Sequence, residues 1–141
     1  MYFLNKYLDD HSIFEQCQVI KCHAMLCTAL AVSKQFSAFN YSDVKRYLQK
    51  PLVPSSEQLQ LVLSILNLSQ CSRISGTQLI DYYDVQDIIK LGVGIAKSCG
   101  KPEELCQLYA YGAIEALRKP DTQLFERYMS SMTETINSTQ I

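Results

Sequence analysis

The sequence predicts an all-α fold: a single-domain bundle of six to seven helices around a central apolar helix over about residues 11–39. Three observations carry that prediction. First, the stretch from His11 to Phe39 contains neither Gly nor Pro, and Ile13, Cys17, Ile20, Ala24, Cys27 and Ala31 recur at alternating spacings of four and three. That spacing lines them along one face of an α-helix. Second, the later apolar segments repeat the same period and are bounded by Ser, Asp, Gly and Pro in positions that start and stop helices. Third, no stretch alternates apolar and polar residues for long, and no Asn-Gly or Asp-Gly hairpin signal occurs.

Taken in order, residues 2–8 read as a short helix with Phe3 and Tyr7, or Leu4 and Leu8, on one face. Asp9 and Asp10 supply an N-cap for the central helix, and Glu15 adds negative charge to its early turns. Phe14, Val19, Met25, Leu26, Leu30 and Val32 widen the apolar stripe of that helix. The polar residues Gln18, Lys21, Thr28 and Gln35 occupy one narrow row. A helix apolar over most of its circumference is normally enclosed by others. Ser42 reads as the cap of a short helix through Val44, Tyr47 and Leu48, stopped by Pro51. Pro51-Leu52-Val53-Pro54 is an extended connector, because each Pro disfavours helix in the residue before it.

Ser55 and Gln58 form a capping box for a helix to about Arg73. Its buried face is expected to hold Leu59, Val62, Leu63, Ile65 and Leu66, with Gln60, Ser64 and Asn67 in water. Ser75-Gly76-Thr77 interrupts the chain, and a helix starts near Thr77, with Asp84 a break or fresh cap inside it. Over about 85–99 lies a second largely apolar helix containing Ile88, Ile89, Leu91, Val93, Ile95 and Ala96. Its wet face holds Gln86, Lys90 and Lys97. Gly92 and Gly94 weaken it by roughly 1 kcal/mol each relative to Ala, a cost offset where a neighbouring helix comes close.

Gly100 and Pro102 end that helix and begin the next, which Glu103 and Glu104 favour at its positive end. Cys106, Ala110, Ala113 and Leu117 lie on one line of it, with Leu105, Tyr109, Gly112 and Ala116 beside them. Pro120 stops it and Asp121 caps the last helix. There Phe125, Met129, Met132 and Ile136 make a single narrow face, flanked by Leu124 and Tyr128. Residues 137–141 read as a frayed tail.

Composition narrows the possibilities further. A chain of 141 residues falls within the usual size of one domain, and 48% apolar with 19% charged residues is a globular balance. The net charge of −1 gives no overall field toward nucleic acid or an anionic membrane. No signal peptide is recognisable in the first ten residues, and the longest unbroken apolar runs are four residues, Ala24 to Cys27 and Ala29 to Val32. The expectation is an intracellular, cytoplasmic protein without a membrane span. Its six cysteines are then reduced core thiols, three of them on one helix where neighbours bridge poorly.

No stretch carries a catalytic, cofactor or metal signature. His23 and Cys27, one turn apart, supply two corners of a zinc site, with His11, Cys99 and Cys106 as distant candidates, but no ligand pair of the usual spacing completes four. Cys22 and His23 are adjacent and point about 100° apart, so they make a poor nucleophile and base. Asp81, Asp84 and Asp87 recur every three residues and suit a solvated helix start better than an acid–base pair. Gly92-Val93-Gly94 follows no strand and lacks the third glycine of a dinucleotide fingerprint. Lys45, Arg46 and Lys50, with Tyr47 among them, read as a solvated helix face.

From Asp87 to Ser131 the order helix, glycine turn, helix, Pro-Asp turn, helix loosely resembles the C-terminal half of the small Bcl-2-like proteins of poxviruses. Gly94-Ile95-Ala96-Lys97 and Gly100 carry it. The Asn-Trp-Gly-Arg type motif of that family is absent, and the chain has no Trp. The resemblance implies a viral regulator with a groove that binds a helical segment of a host protein. Ala113-Ile114-Glu115-Ala116-Leu117 with Pro120 resembles part of a tetratricopeptide repeat, without its Trp, Leu-Gly and Tyr positions and without a second copy.

The functional expectation is therefore a non-enzymatic protein–protein interaction module: an adaptor, chaperone-like factor or accessory subunit using apolar helix faces. The residues expected to meet the partner, a protein or a second copy of the chain, are Phe125, Tyr128, Met129 and Met132. Their alternative role is the domain's own core. No nucleic acid, metal or cofactor is expected. The rival is an enzyme with an unfamiliar helical site around Asp84, Asp87 or His23 and Cys27.

Overall fold

The computed structural model describes residues 13–49 and 56–139, with the side chains of residues 13–15 and 49 excepted. Among the described residues the chain is all-α: six α-helices and one 3₁₀ turn, without a strand. It divides into two compact units, Met1–Asp81 and Tyr82–Ile141. The expected helix over 2–8, the Asp9-Asp10 cap, Ser55 of the capping box and the Pro51–Pro54 connector lie outside the described residues.

The first unit contains α1 (Ile13–Ser33), a 3₁₀ turn (Phe36–Ala38), α2 (Tyr41–Gln49) and α3 (Ser56–Ile74). Helix α1 stops at Ser33 rather than continuing to about residue 39. Lys34 takes a left-handed backbone with φ of 58°, and the amides of Lys34 and Gln35 bond back to the carbonyls of Ala31 and Leu30 at 3.4 and 3.1 Å. This is the bonding pattern of a Schellman cap, built on a Lys where sequence reasoning looks for Gly. Phe36 is buried and pins the 3₁₀ turn that follows.

Helix α1 packs along α3 with Val19, Ile20, His23, Ala24, Cys27, Leu30 and Ala31 buried. It is not enclosed all round. Met25 and Val32 interrupt the polar row of Gln18, Lys21, Thr28 and Gln35, and they are 65% and 80% exposed. Cys22 is exposed as well, so the core-thiol expectation holds for Cys27 and fails for Cys22. None of the six cysteines is in a disulfide.

Asn40, not Ser42, caps α2: its Oδ1 accepts the Ser42 amide at 3.1 Å. Tyr47 turns away from the basic side chains into the core, fully buried with Val44 and Leu48. Helix α3 has the largest share of buried residues in this unit. Leu61 and Leu68 are sealed along with the expected Leu59, Val62, Ile65 and Leu66, whereas Leu63 is only half-buried. Ser64, expected in water, is buried, as are Gln58, Ser69 and Ser72. The Ser72 hydroxyl is accommodated by donating to Ser69 O at 2.9 Å, whereas the Ser69 hydroxyl is buried without a hydrogen-bond partner. Gly76, with φ of 88°, closes the helix through Thr77 N–H to Ser72 O at 2.8 Å.

The second unit consists of α4 (Tyr82–Cys99), α5 (Pro102–Arg118) and α6 (Thr122–Thr139). Helix α4 starts five residues after Thr77, so Asp84 lies in its first turn and is no internal break. Helix α5 packs against both α4 and α6. Its buried line is Leu105, Leu108, Tyr109, Gly112, Ala113 and Ala116, while Cys106 and Ala110 of the expected line are half-buried and Leu117 is exposed. No atom lies close enough to Gly94 to meet an added Cβ, so no neighbour offsets that glycine's cost. Helix α6 continues through Thr139, where the Ser138 and Thr139 hydroxyls bond carbonyls of the preceding turn.

Candidate interaction surfaces

Helix α6 forms because Asp121 starts it and an uninterrupted run without Gly or Pro continues it. The Asp121 carboxylate accepts the Leu124 amide at 3.1 Å, the N-cap bond expected of it. Four apolar residues then recur at spacings of four, three and four: Phe125, Met129, Met132 and Ile136. Yet none of the 18 residues of α6 has a buried side chain. Phe125 and Met132 are half-buried; Met129 and Ile136 are 37% and 42% exposed.

Tyr128 has a different place. Its ring lies flat over Gly112 of α5, so close that a Cβ added at Gly112 would sit 2.6 Å from Cζ. Its hydroxyl donates to Gln86 Oε1 of α4 at 2.9 Å, and its ring meets that of Tyr109 at a centroid separation of 6.2 Å. Burial holds the Tyr128 phenol above its ordinary pKa, with a smaller push from Tyr82. Tyr128 is therefore the peg that fixes α6 to its own unit, and the face it uses is offset from the apolar stripe. Positions 124, 125, 128, 131, 132 and 135 are half-buried, and 129, 133 and 136 face outward, so the stripe straddles the edge of that face.

Around the peg, Glu115 is buried with a carboxylate oxygen 3.8 Å from Arg118 Nε, and the Lys119 ammonium lies 5.3 Å over the Tyr82 ring. Gln86, assigned to the wet face from its spacing, is buried to receive Tyr128. Neither Gln86 nor Gly112 stands out as a site residue in the sequence. A Gly inside an otherwise good helix is the one available signal of close approach, and at Gly112 that signal is real.

The first unit carries a second open surface. Lys21, Ala24, Met25, Thr28 and Ala29 of α1 and Gln60 and Ser64 of α3 line a mostly apolar groove of about 370 Å³. Thr28 Oγ1 donates to Ala24 O at 3.1 Å.

Among the described residues, the other singled-out side chains do not come together as a site; His11 and Lys50 lie outside them. His23 and Cys27 both lie buried on α1. The His23 ring packs on Tyr47 at 4.6 Å between centroids, and neither ring nitrogen has a hydrogen-bond partner. Burial lowers its pKa from 6.5 to about 4, against the pull of Asp43, and raises the Cys27 thiol to about 11. Among the described residues no three His, Cys, Asp or Glu side chains converge on one point. Asp81 and Asp87 are exposed and Asp84 is half-buried. No described helix is long and apolar enough to cross a membrane. Compared with models of known protein families, with characterised proteins and with solved structures, the chain has no match.

Proposed function

We propose that this chain is a non-enzymatic protein–protein interaction module, an adaptor or accessory subunit of a cytoplasmic assembly, that binds through the stripe of α6. One observation carries the reading: an 18-residue helix keeps every side chain at least partly accessible while presenting Phe125, Met129, Met132 and Ile136 on one face. Apolar side chains left at the surface of a helix gain about 25 cal/mol per Å² when a partner covers them. Met and aromatic residues adapt well to such a partner face. Tyr128 contributes by holding the helix in place, and Phe125, Met129 and Met132 make contact.

The test is the paired substitution of Met129→Glu and Met132→Glu in the full chain. Loss of the native partner with unchanged helical circular dichroism is the expected result. Retained binding by a folded variant contradicts the reading. An unfolded variant means the stripe belongs to the core, and Ile136→Glu, at a more exposed position, then separates folding from binding.

A second reading rests on the α1–α3 groove, whose rim residue Met25 is 65% exposed. A partner helix lying there would make Met25→Glu the disruptive change and leave α6 variants competent.

A further inference from the structure

We propose that the α1–α3 groove binds a free medium-chain carboxylate, its tail lying along α1 and its head paired with Lys21. The site is separate from the α6 stripe and does not depend on it. Three side chains lining the groove can donate a hydrogen bond and have no partner among the described residues: the Lys21 ammonium, the Gln60 amide and the Ser64 hydroxyl. Ser64 weighs most. It is 6% exposed, and the part left accessible opens on the groove. The hydroxyls of Thr28 and Ser33 on α1 are answered by the carbonyl one turn back, at 3.1 and 2.8 Å, and that of Ser64 is not. A hydroxyl so enclosed costs stability until something accepts from it.

The lining sets the chemistry of the occupant. Lys21 is the one charged residue on it, and no carboxylate lies there among the described residues, so the groove favours an anion. One positive charge matches one negative charge, which selects a carboxylate over a doubly charged phosphate monoester. A carboxylate also brings two oxygens with about four acceptor sites to a groove rich in donors. A helix laid in the same place has its own carbonyls already bonded within itself. The tail is measured by α1: from Lys21 to Ala29, past Ala24 and Met25, the wall runs about 12 Å. An extended chain of about eight to ten carbons covers that length. The volume of about 370 Å³ suits a small ligand with an apolar body and a single polar end.

The test is calorimetric titration of the full chain with octanoate and decanoate, with octylamine and 1-octanol as head-group controls. Decanoate should bind with a sub-millimolar Kd, ~4-fold tighter than octanoate, because an open groove half covers the two added methylenes. Ser64→Ala should weaken decanoate by ~3–10-fold while leaving the melting temperature unchanged, which a purely structural serine would not do. Lys21→Gln should weaken it by ~3-fold and remove the preference for octanoate over octanol. Ala29→Trp, at an exposed position, fills the groove and should abolish binding. If that variant fails to fold, Ser64→Ala and Lys21→Gln decide. No binding of decanoate at millimolar concentration overturns the proposal. Octanol or octylamine binding as tightly as octanoate overturns it, as does decanoate binding untouched by Ala29→Trp or by both of the other variants. A folded Ala29→Trp chain that loses a protein partner, where the wild type ignores decanoate, overturns it in favour of a protein dock.

Discussion

At the scale of single residues, the buried polar groups set the chemistry. His23 is sealed against Tyr47 without a hydrogen bond, and its pKa falls to about 4 from 6.5. Between those values the unfolded chain takes up a proton that the folded chain refuses. The stability His23 permits is complete above about pH 6.5 and is lost as pH falls toward 4, by about 3 kcal/mol in all. Denaturant titrations at pH 7, 5 and 4 should show that loss, and His23→Leu should remove this share of it. A variant with an unchanged acid limb would refute the assignment. Thiol labelling of the native chain gives a second check: exposed Cys22 should react with a maleimide, and Cys27, buried with its thiol near 11, only after unfolding. Rapid labelling of native Cys27 would contradict its placement. Neither His23 nor Ser64 and Gln86 could be placed inside from the sequence. Polar residues are usually wet, and their burial here depends on Tyr47, on helix packing and on the Tyr128 hydroxyl.

At the scale of elements, helix starts and stops written in standard residues were legible and the rest were not. Asp121, Pro102, Gly76 and Gly100 act as the sequence implies. The end of α1 did not, because Lys34 adopts a backbone that sequence reasoning reserves for Gly. Among the helical glycines, Gly94 and Gly112 separate cleanly. Gly94→Ala meets no atom and should stabilise by about 0.5–1 kcal/mol through lost backbone entropy in the unfolded chain. Gly112→Ala drives a methyl into the Tyr128 ring and should destabilise by about 1–3 kcal/mol, loosening α6 from α5. Thermal melts compare the two, and proteolysis of α6 reads the loosening. A stabilising Gly112→Ala would mean that Tyr128 is no anchor.

At the scale of the whole chain, the helical class was legible because a period of 3.6 persists through every apolar segment. Exposure was not. Met25 and Val32 have the composition of core yet stand in water, and the stripe of α6 has the pattern of core yet has no fully buried member. Periodicity marks a face as apolar; what covers that face depends on chain geometry that no local pattern contains. The central claim concerns that uncovered face. Amide hydrogen exchange, comparing the chain in its native assembly with the chain alone and dilute, tests it most directly. The account predicts new protection concentrated on residues 125–136 of α6. Protection confined to the α1–α3 groove, or no change on α6, would contradict it.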